Sequence, residues 1–333
     1  MNSSLQLQPP TTTKTQRYVE FDNLRVAALF LILACHFVRS IGFYQLDLPL
    51  GAIGNLVFFT MSGWLLGLAW NAKGCPAYGF SFLKRRWLRL AIPLWVFAVP
   101  YLIYAYFYRG GVEIMQILLN LTLLNWFARI PGMTPFWFIT AIAVFYVIAL
   151  VISKIAFFKQ RNILPAVVLS VVFVSMQIAL TICGIRFGYI LIMVLLGSLA
   201  FVHAEKLLAL TRRVPKKPVL SVLFFIIAFL MLWYAYYRGW IMNGSPSGYW
   251  AACVASILFV VMIFSVLSDK VIPGVSYLSR ISYEIYLVHA ALLLWFRPIF
   301  DSIVLYAIVF LICSIVGGSL IHWLANIRLG GVK

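Results

Sequence analysis

Four histidines occur in 333 residues, and two of them, His36 and His289, stand deep within long apolar stretches. A neutral imidazole there can take a proton from a hydroxyl as a general base, or carry an acyl group transiently. Arg25 precedes His36 by eleven residues. At about 100° per residue that is three turns plus roughly 20°, so both lie on one helical face, about 16 Å apart along the axis. Asp22 falls within about 60° of both on the same stripe. A guanidinium can hold an anion, so the stripe suggests one cavity that an anionic ligand enters from the Arg25 end, with the chemistry deeper in. The plainer reading has Arg25 snorkelling to headgroups and His36 packed against a neighbouring helix.

Three further clusters carry polar chemistry. Arg86 and Arg89 share a helical face within Lys84-Arg85-Arg86-Trp87-Leu88-Arg89, and guanidinium pairs bind phosphate bidentately; an anchor for anionic lipid is the alternative. Phe58-Phe59-Thr60-Met61-Ser62-Gly63 places small residues in an apolar run, where Gly63 either lets a ligand approach the backbone or lets two helices touch. Ser282, Tyr286 and His289 follow i, i+4, i+7 spacing and share one stripe. Glu284, beside them, is the one acidic residue expected well within an apolar run; it can also reach water or pair with Arg280. His203 and His322 fall near helix ends, where a solvated or headgroup-facing role is expected.

The elements that must position these groups are membrane helices. Apolar residues make up 64% of the chain and charged residues 10%, with a mean hydropathy of +1.01. A soluble chain carries about a quarter charged residues, so this one cannot cover a water-facing surface. Apolar stretches of spanning length run approximately 24–43, 50–70, 90–108, 136–153, 163–182, 187–203, 219–237, 249–267, 281–297 and 302–324. The expected fold is an all-α polytopic membrane protein of about ten transmembrane helices. Segment 114–128 is shorter and carries Asn120, Thr122 and Asn125.

Net charge is +18, with 26 Lys+Arg. Loops 71–89, 154–162 and 204–218 hold the clusters, and the positive-inside rule places all three in the cytoplasm. Segment 114–128 must then start and end outside, so it does not cross. Twenty of the 26 cations fall inside, and both termini are expected to be cytoplasmic. The excess therefore records topology and does not indicate nucleic acid. Residues 1–20 are polar and Pro/Thr-rich, without the apolar core of a signal peptide; they are expected to be a disordered cytosolic tail. A membrane domain is expected over 21–327 and a short cytosolic tail over 328–333. Five scattered cysteines without CxxC spacing indicate neither a disulfide framework nor a metal site.

These patterns resemble the integral-membrane acyltransferase family 3, which includes O-acetyltransferases of bacterial cell-surface glycans. Asp22-Asn23-Leu24-Arg25, ten residues and then His36 is similar to the family's D-x-L-R start and R-x10-H motif. Phe58 to Gly63 resembles its FFxxSG helix, and Arg86-Trp87-Leu88-Arg89 its RxxR. Pro135-Phe136-Trp137-Phe138 and the run Ile281 to His289 resemble its WF/WxL and SYxIYLxH segments. The resemblance covers about residues 18–325. It implies transfer of an acyl group, usually acetyl from acetyl-CoA, to a sugar hydroxyl, with no bound cofactor. His36 is then the catalytic residue, accompanied by Arg25. Arg86 and Arg89, with Ser62 and Gly63, would handle the donor, and Asp22, Trp137, Ser282, Glu284, Tyr286 and His289 would support the site. One departure stands out: where many members carry two carboxylates in W-x-L-x-x-E-E-x-F-Y, this chain has Ile142 and Ala143.

The expected function is thus acyl transfer from cytosolic acetyl-CoA to a glycan or lipid-linked saccharide, in a multi-pass protein of the plasma or inner membrane. A transporter or flippase of a lipid-linked sugar or anion is the competing class, and a small metabolite is the competing acceptor. A proton-coupled transporter would need more intramembrane carboxylates than Glu284 alone.

Overall fold

The computed structural model describes residues 19–109, 112–127, 130–159, 162–183, 188–214, 217–239, 246–267 and 270–329. Of the expected tails at 1–20 and 328–333, residues 1–18 and 330–333 lie outside the described residues.

Among the described residues the regular elements are all helical. They are α1 (Val19–Ser40), α2 (Tyr44–Asn71), α3 (Phe80–Tyr104), α4 (Ile114–Leu121), α5 (Trp137–Lys154), α6 (Leu164–Ile182), α7 (Gly188–Val202), α8 (Ala204–Arg212), α9 (Pro218–Tyr237), α10 (Pro246–Leu267), α11 (Val275–Arg280), α12 (Ser282–Phe296) and α13 (Ile303–Leu329). Seven helical segments are long and apolar enough to cross a bilayer, or eight if the pair Tyr189–Val202 and Ala204–Arg212, bent by 83°, is one broken span. The expected spans at 163–182 and 281–297 emerge as the shorter apolar helices Leu164–Leu180 and Ser282–Phe296. For α12 the shortness has a packing reason. Its flanks are protein, with Ile285, Leu287, His289 and Ala291 all buried, so it need not match the hydrocarbon thickness that a lipid-facing helix must. The outer faces of α6, α9 and α13 expose large apolar side chains such as Val171, Leu230 and Val316, a surface suited to lipid.

Over the described residues 114–127 the segment holds no helix long enough to cross a bilayer. Its helix α4 has eight residues, about 12 Å at 1.5 Å per residue. Glu113 and Gln116 form a capping box at its start. Its polar residues turn inward: Asn125 donates to the Asn120 side-chain oxygen at 2.8 Å, and both are buried. Thr140 of α5 donates to the Leu123 carbonyl at 2.7 Å, and Trp95 of α3 to that of Leu121 at 2.7 Å. The segment is thereby tied to the start of α5.

Helix α2 is central, packed against α1, α7, α9 and α10. Its contact with α7 depends on missing side chains. A Cβ on Gly63 would lie 1.9 Å from the Gly197 carbonyl oxygen, and one on Gly67 2.1 Å from that of Phe201. The structure thus shows the helix-contact role of Gly63, whose Cα faces the Gly197 backbone of α7. The N-terminal end of α1 is pinned from two sides. Asn23 donates to the Leu267 and Lys270 carbonyls at 2.8 and 3.0 Å, meeting acceptors freed at the end of α10. Asp22 accepts from Ser279 at 2.6 Å and Ser276 at 3.3 Å, which ties α1 to α11.

Candidate active site

Two cavities enter the bundle from opposite ends. The first, of about 660 Å3, is lined by Arg25 and Ile32 of α1, Ser62 of α2, Arg85, Arg86 and Arg89 of α3, Ile142 and Tyr146 of α5, Arg280, Glu284 and Tyr286 around α11 and α12, and His322 of α13. The second, of about 750 Å3, is lined by His36, Arg39 and Ser40 of α1, Thr134, Pro135 and Trp137 before and at the start of α5, and Ala290, Leu293 and Arg297 of α12 and its end.

The wall between them is thin. On α1, Ile32 faces the first cavity and His36 the second; on α12, Tyr286 faces the first and Ala290 the second. Both pairs are four residues apart on one face, about 6 Å of helix rise. Tyr286 seals the gap by donating its hydroxyl to the Pro135 carbonyl. Behind it lies His289, fully buried, with its ring centroid 5.3 Å from that of Tyr286 and 5.0 Å from that of His36.

The single cavity expected from the Arg25–His36 stripe is thus two. Both residues do face one way, but the roughly 16 Å between them places them on either side of the septum. Arg25 donates to Ser279 Oγ at 3.2 Å. Ser279 in turn donates to Asp22, so Asp22 acts behind Arg25 and does not line either cavity. Arg86 sits between two rings, its guanidinium carbon 5.7 Å from the Phe82 centroid and 5.8 Å from that of Tyr146, cation–π contacts that fix its direction. Arg89 is exposed at the mouth. Five arginines line this cavity against one carboxylate among the described residues, Glu284, and such a low-dielectric, positive cleft concentrates anions.

Several expected residues take different places. Ser62, Ser282, Glu284 and Tyr286 line the first cavity, whereas Trp137 lines the second. His289 lines neither and forms the partition. Gly63 is turned away toward α7. Glu284 does not pair with Arg280, which stacks over Tyr277. Its partner is His322, whose Nδ1 donates to Glu284 Oε1 at 2.9 Å. His322 therefore faces the cavity instead of headgroups. Gly318, four residues earlier, lets α13 meet α12 at Ile285, where an added Cβ would lie 2.8 Å from the backbone nitrogen. One turn on from that contact, His322 lands beside Glu284. Tyr283 was likewise passed over; its hydroxyl bonds the Leu90 carbonyl at 2.8 Å, binding α12 to α3. Ile142 lies where the resemblance would put a carboxylate, and it is buried against the first cavity.

Among the described residues the protein is thus an all-helical bundle, with an arginine-lined cavity and a cavity edged by His36 on either side of a thin wall. The chain matches the family described as an acyltransferase domain, acyltransferase family 3, over residues 18–324, and it belongs to that family. It is a multi-pass membrane acyltransferase of this general kind. Searches of curated proteins and of solved structures gave no match.

Proposed function

We propose that the protein transfers acetyl from cytosolic acetyl-CoA, held in the first cavity, to a hydroxyl of a glycan or lipid-linked saccharide held in the second. The observation that carries this reading is the septum, where cavities from opposite ends come within about one helical turn beside His36. Arg25, Arg86 and Arg89 offer the donor's phosphates bidentate partners at the charged end. The acyl thioester then extends inward to the wall, and displacement of the Tyr286 side chain from Pro135 lets it meet the acceptor beside His36. At the far side Trp137 and the polar groups of Ser40 and Thr134 offer a saccharide a flat apolar face and hydrogen bonds.

In the chemical step His36 takes the proton from the acceptor hydroxyl, and the oxygen bonds to the acyl carbonyl carbon. The carbon–sulfur bond breaks, and the leaving thiolate recovers the proton from His36. This orientation places the Arg86 end in the cytoplasm of the plasma or inner membrane, in line with the basic loops. A transporter would instead move its cargo without consuming a donor. The test is turnover of labelled acetyl-CoA by membranes containing the wild type or the His36→Ala variant, with folding checked by thermal unfolding in detergent. Donor-dependent acetylation that disappears in the variant supports the proposal. Undiminished acetylation in the folded variant contradicts it.

A further inference from the structure

His289 is buried, yet among the described residues only one of its ring nitrogens has a hydrogen-bond partner. Nδ1 lies 2.5 Å from the Tyr286 carbonyl oxygen. A carbonyl can only accept, so Nδ1 carries the hydrogen and the tautomer is set. Nε2 is consequently a lone pair, and this atom has no hydrogen-bond partner. An unsatisfied buried acceptor is destabilising, so its retention calls for a reason.

The neighbouring ring supplies one. His36 lies on the adjacent helix with ring centroids 5.0 Å apart and planes inclined by 37°. A ring nitrogen is about 1.1 Å from its centroid, so an in-line N–H···N bond near 2.9 Å puts the centroids about 5 Å apart. The separation is already that of a bonded pair, and only the orientation of the rings must change. His36 is half-buried at the edge of the second cavity and has room to turn.

We infer that His289 is a positioning residue for His36, accepting a hydrogen bond from one of its ring nitrogens through Nε2. The inference rests on the reading of His36 as the base. The bond directs the other His36 nitrogen, as a lone pair, into the second cavity where the acceptor hydroxyl would lie. When that nitrogen takes the proton, the imidazolium keeps the same hydrogen bond, now charge-assisted. The arrangement follows the logic of a base oriented by a third group, with an imidazole in the place usually held by a carboxylate.

Two substitutions separate this role from packing. In His289→Asn the amide nitrogen occupies the place of Nδ1, so the bond to Tyr286 survives while the acceptor is lost. In His289→Gln the amide oxygen reaches the place of Nε2. With labelled acetyl-CoA and membrane-borne acceptor, His289→Asn is expected to lower kcat roughly 10²-fold, as for a misplaced catalytic group, with KM for the donor within about twofold. His289→Gln is expected to recover at least about tenfold over the Asn variant. Equal impairment of both, or wild-type turnover by His289→Asn, overturns the inference. The chain has four histidines, so 15N-histidine spectra of the wild type give a second readout independent of activity. A single His36 tautomer is expected, and a His36 that samples both tautomers contradicts it. Failure of the underlying reading looks different, because His36→Ala would then retain full turnover whatever the His289 variants do.

Discussion

The two ends of the bundle are built for opposite tasks. At one, five arginines surround a cavity that also holds the Glu284–His322 pair. At the other, a histidine, a tryptophan and small polar groups line a cavity of similar size, with Arg39 and Arg297 at its rim. The charged end is organised by contacts that aim cations, through Ser279 on Arg25 and through two aromatic rings on Arg86. The histidine end is organised by backbone acceptors, with Tyr286 on Pro135 and His289 on Tyr286. On the proposed reading, the difference means that binding and chemistry are divided between the two sides of the septum. Changes at one end should alter affinity, and changes at the other should alter turnover.

That division can be broken in order of expected effect. Replacing His36 by alanine should lower kcat by about 10²–10⁴-fold, the usual worth of a general base, without altering donor KM, as read by labelled acetyl transfer. Arg86→Ala and Arg89→Ala should do the reverse, raising donor KM by roughly ten-fold or more each, since a charge-assisted phosphate contact is lost, while saturating turnover changes less. An Arg86 variant that lowered kcat alone would place the arginine in the chemistry and blur the comparison. Gly63→Val should act on neither parameter but on folding. Its side chain meets the Gly197 backbone, and overpacking of about 1–3 kcal/mol or more should show as a lowered thermal midpoint in detergent. Smallest is Asn23→Ala, which leaves the end of α10 uncapped and should cost about 1 kcal/mol of stability, with donor KM within twofold.

The all-helical membrane class and most of the long apolar helices were legible because hydrophobic length acts locally along the chain, though seven or eight of the ten expected spans emerge as long helices among the described residues. The Arg25–His36 stripe was legible for the same reason, since both residues do lie on one face of α1. What the stripe could not show is that Tyr286, 250 residues further on, crosses between them to reach Pro135. The role of Gly63 turned on which helix lay opposite, and Gly197 stands far along the chain. The pairing of His322 with Glu284 was not legible because it is made by α12, a helix too buried to announce its position through amphipathicity. The missing carboxylates at Ile142 and Ala143 raised Glu284 as a substitute charge, but its bond to His322 depends on how α12 and α13 meet and was not legible.

Transfer across the septum is the central claim, and its sidedness is directly measurable. Labelled acetyl-CoA is supplied to sealed vesicles of defined orientation, separately to each face, and the side on which the acetylated product appears is read with an impermeant hydrolase. The account predicts acetylation only when donor meets the face carrying Lys84 to Arg89, with product on the opposite side. Product confined to the donor's own side would contradict it.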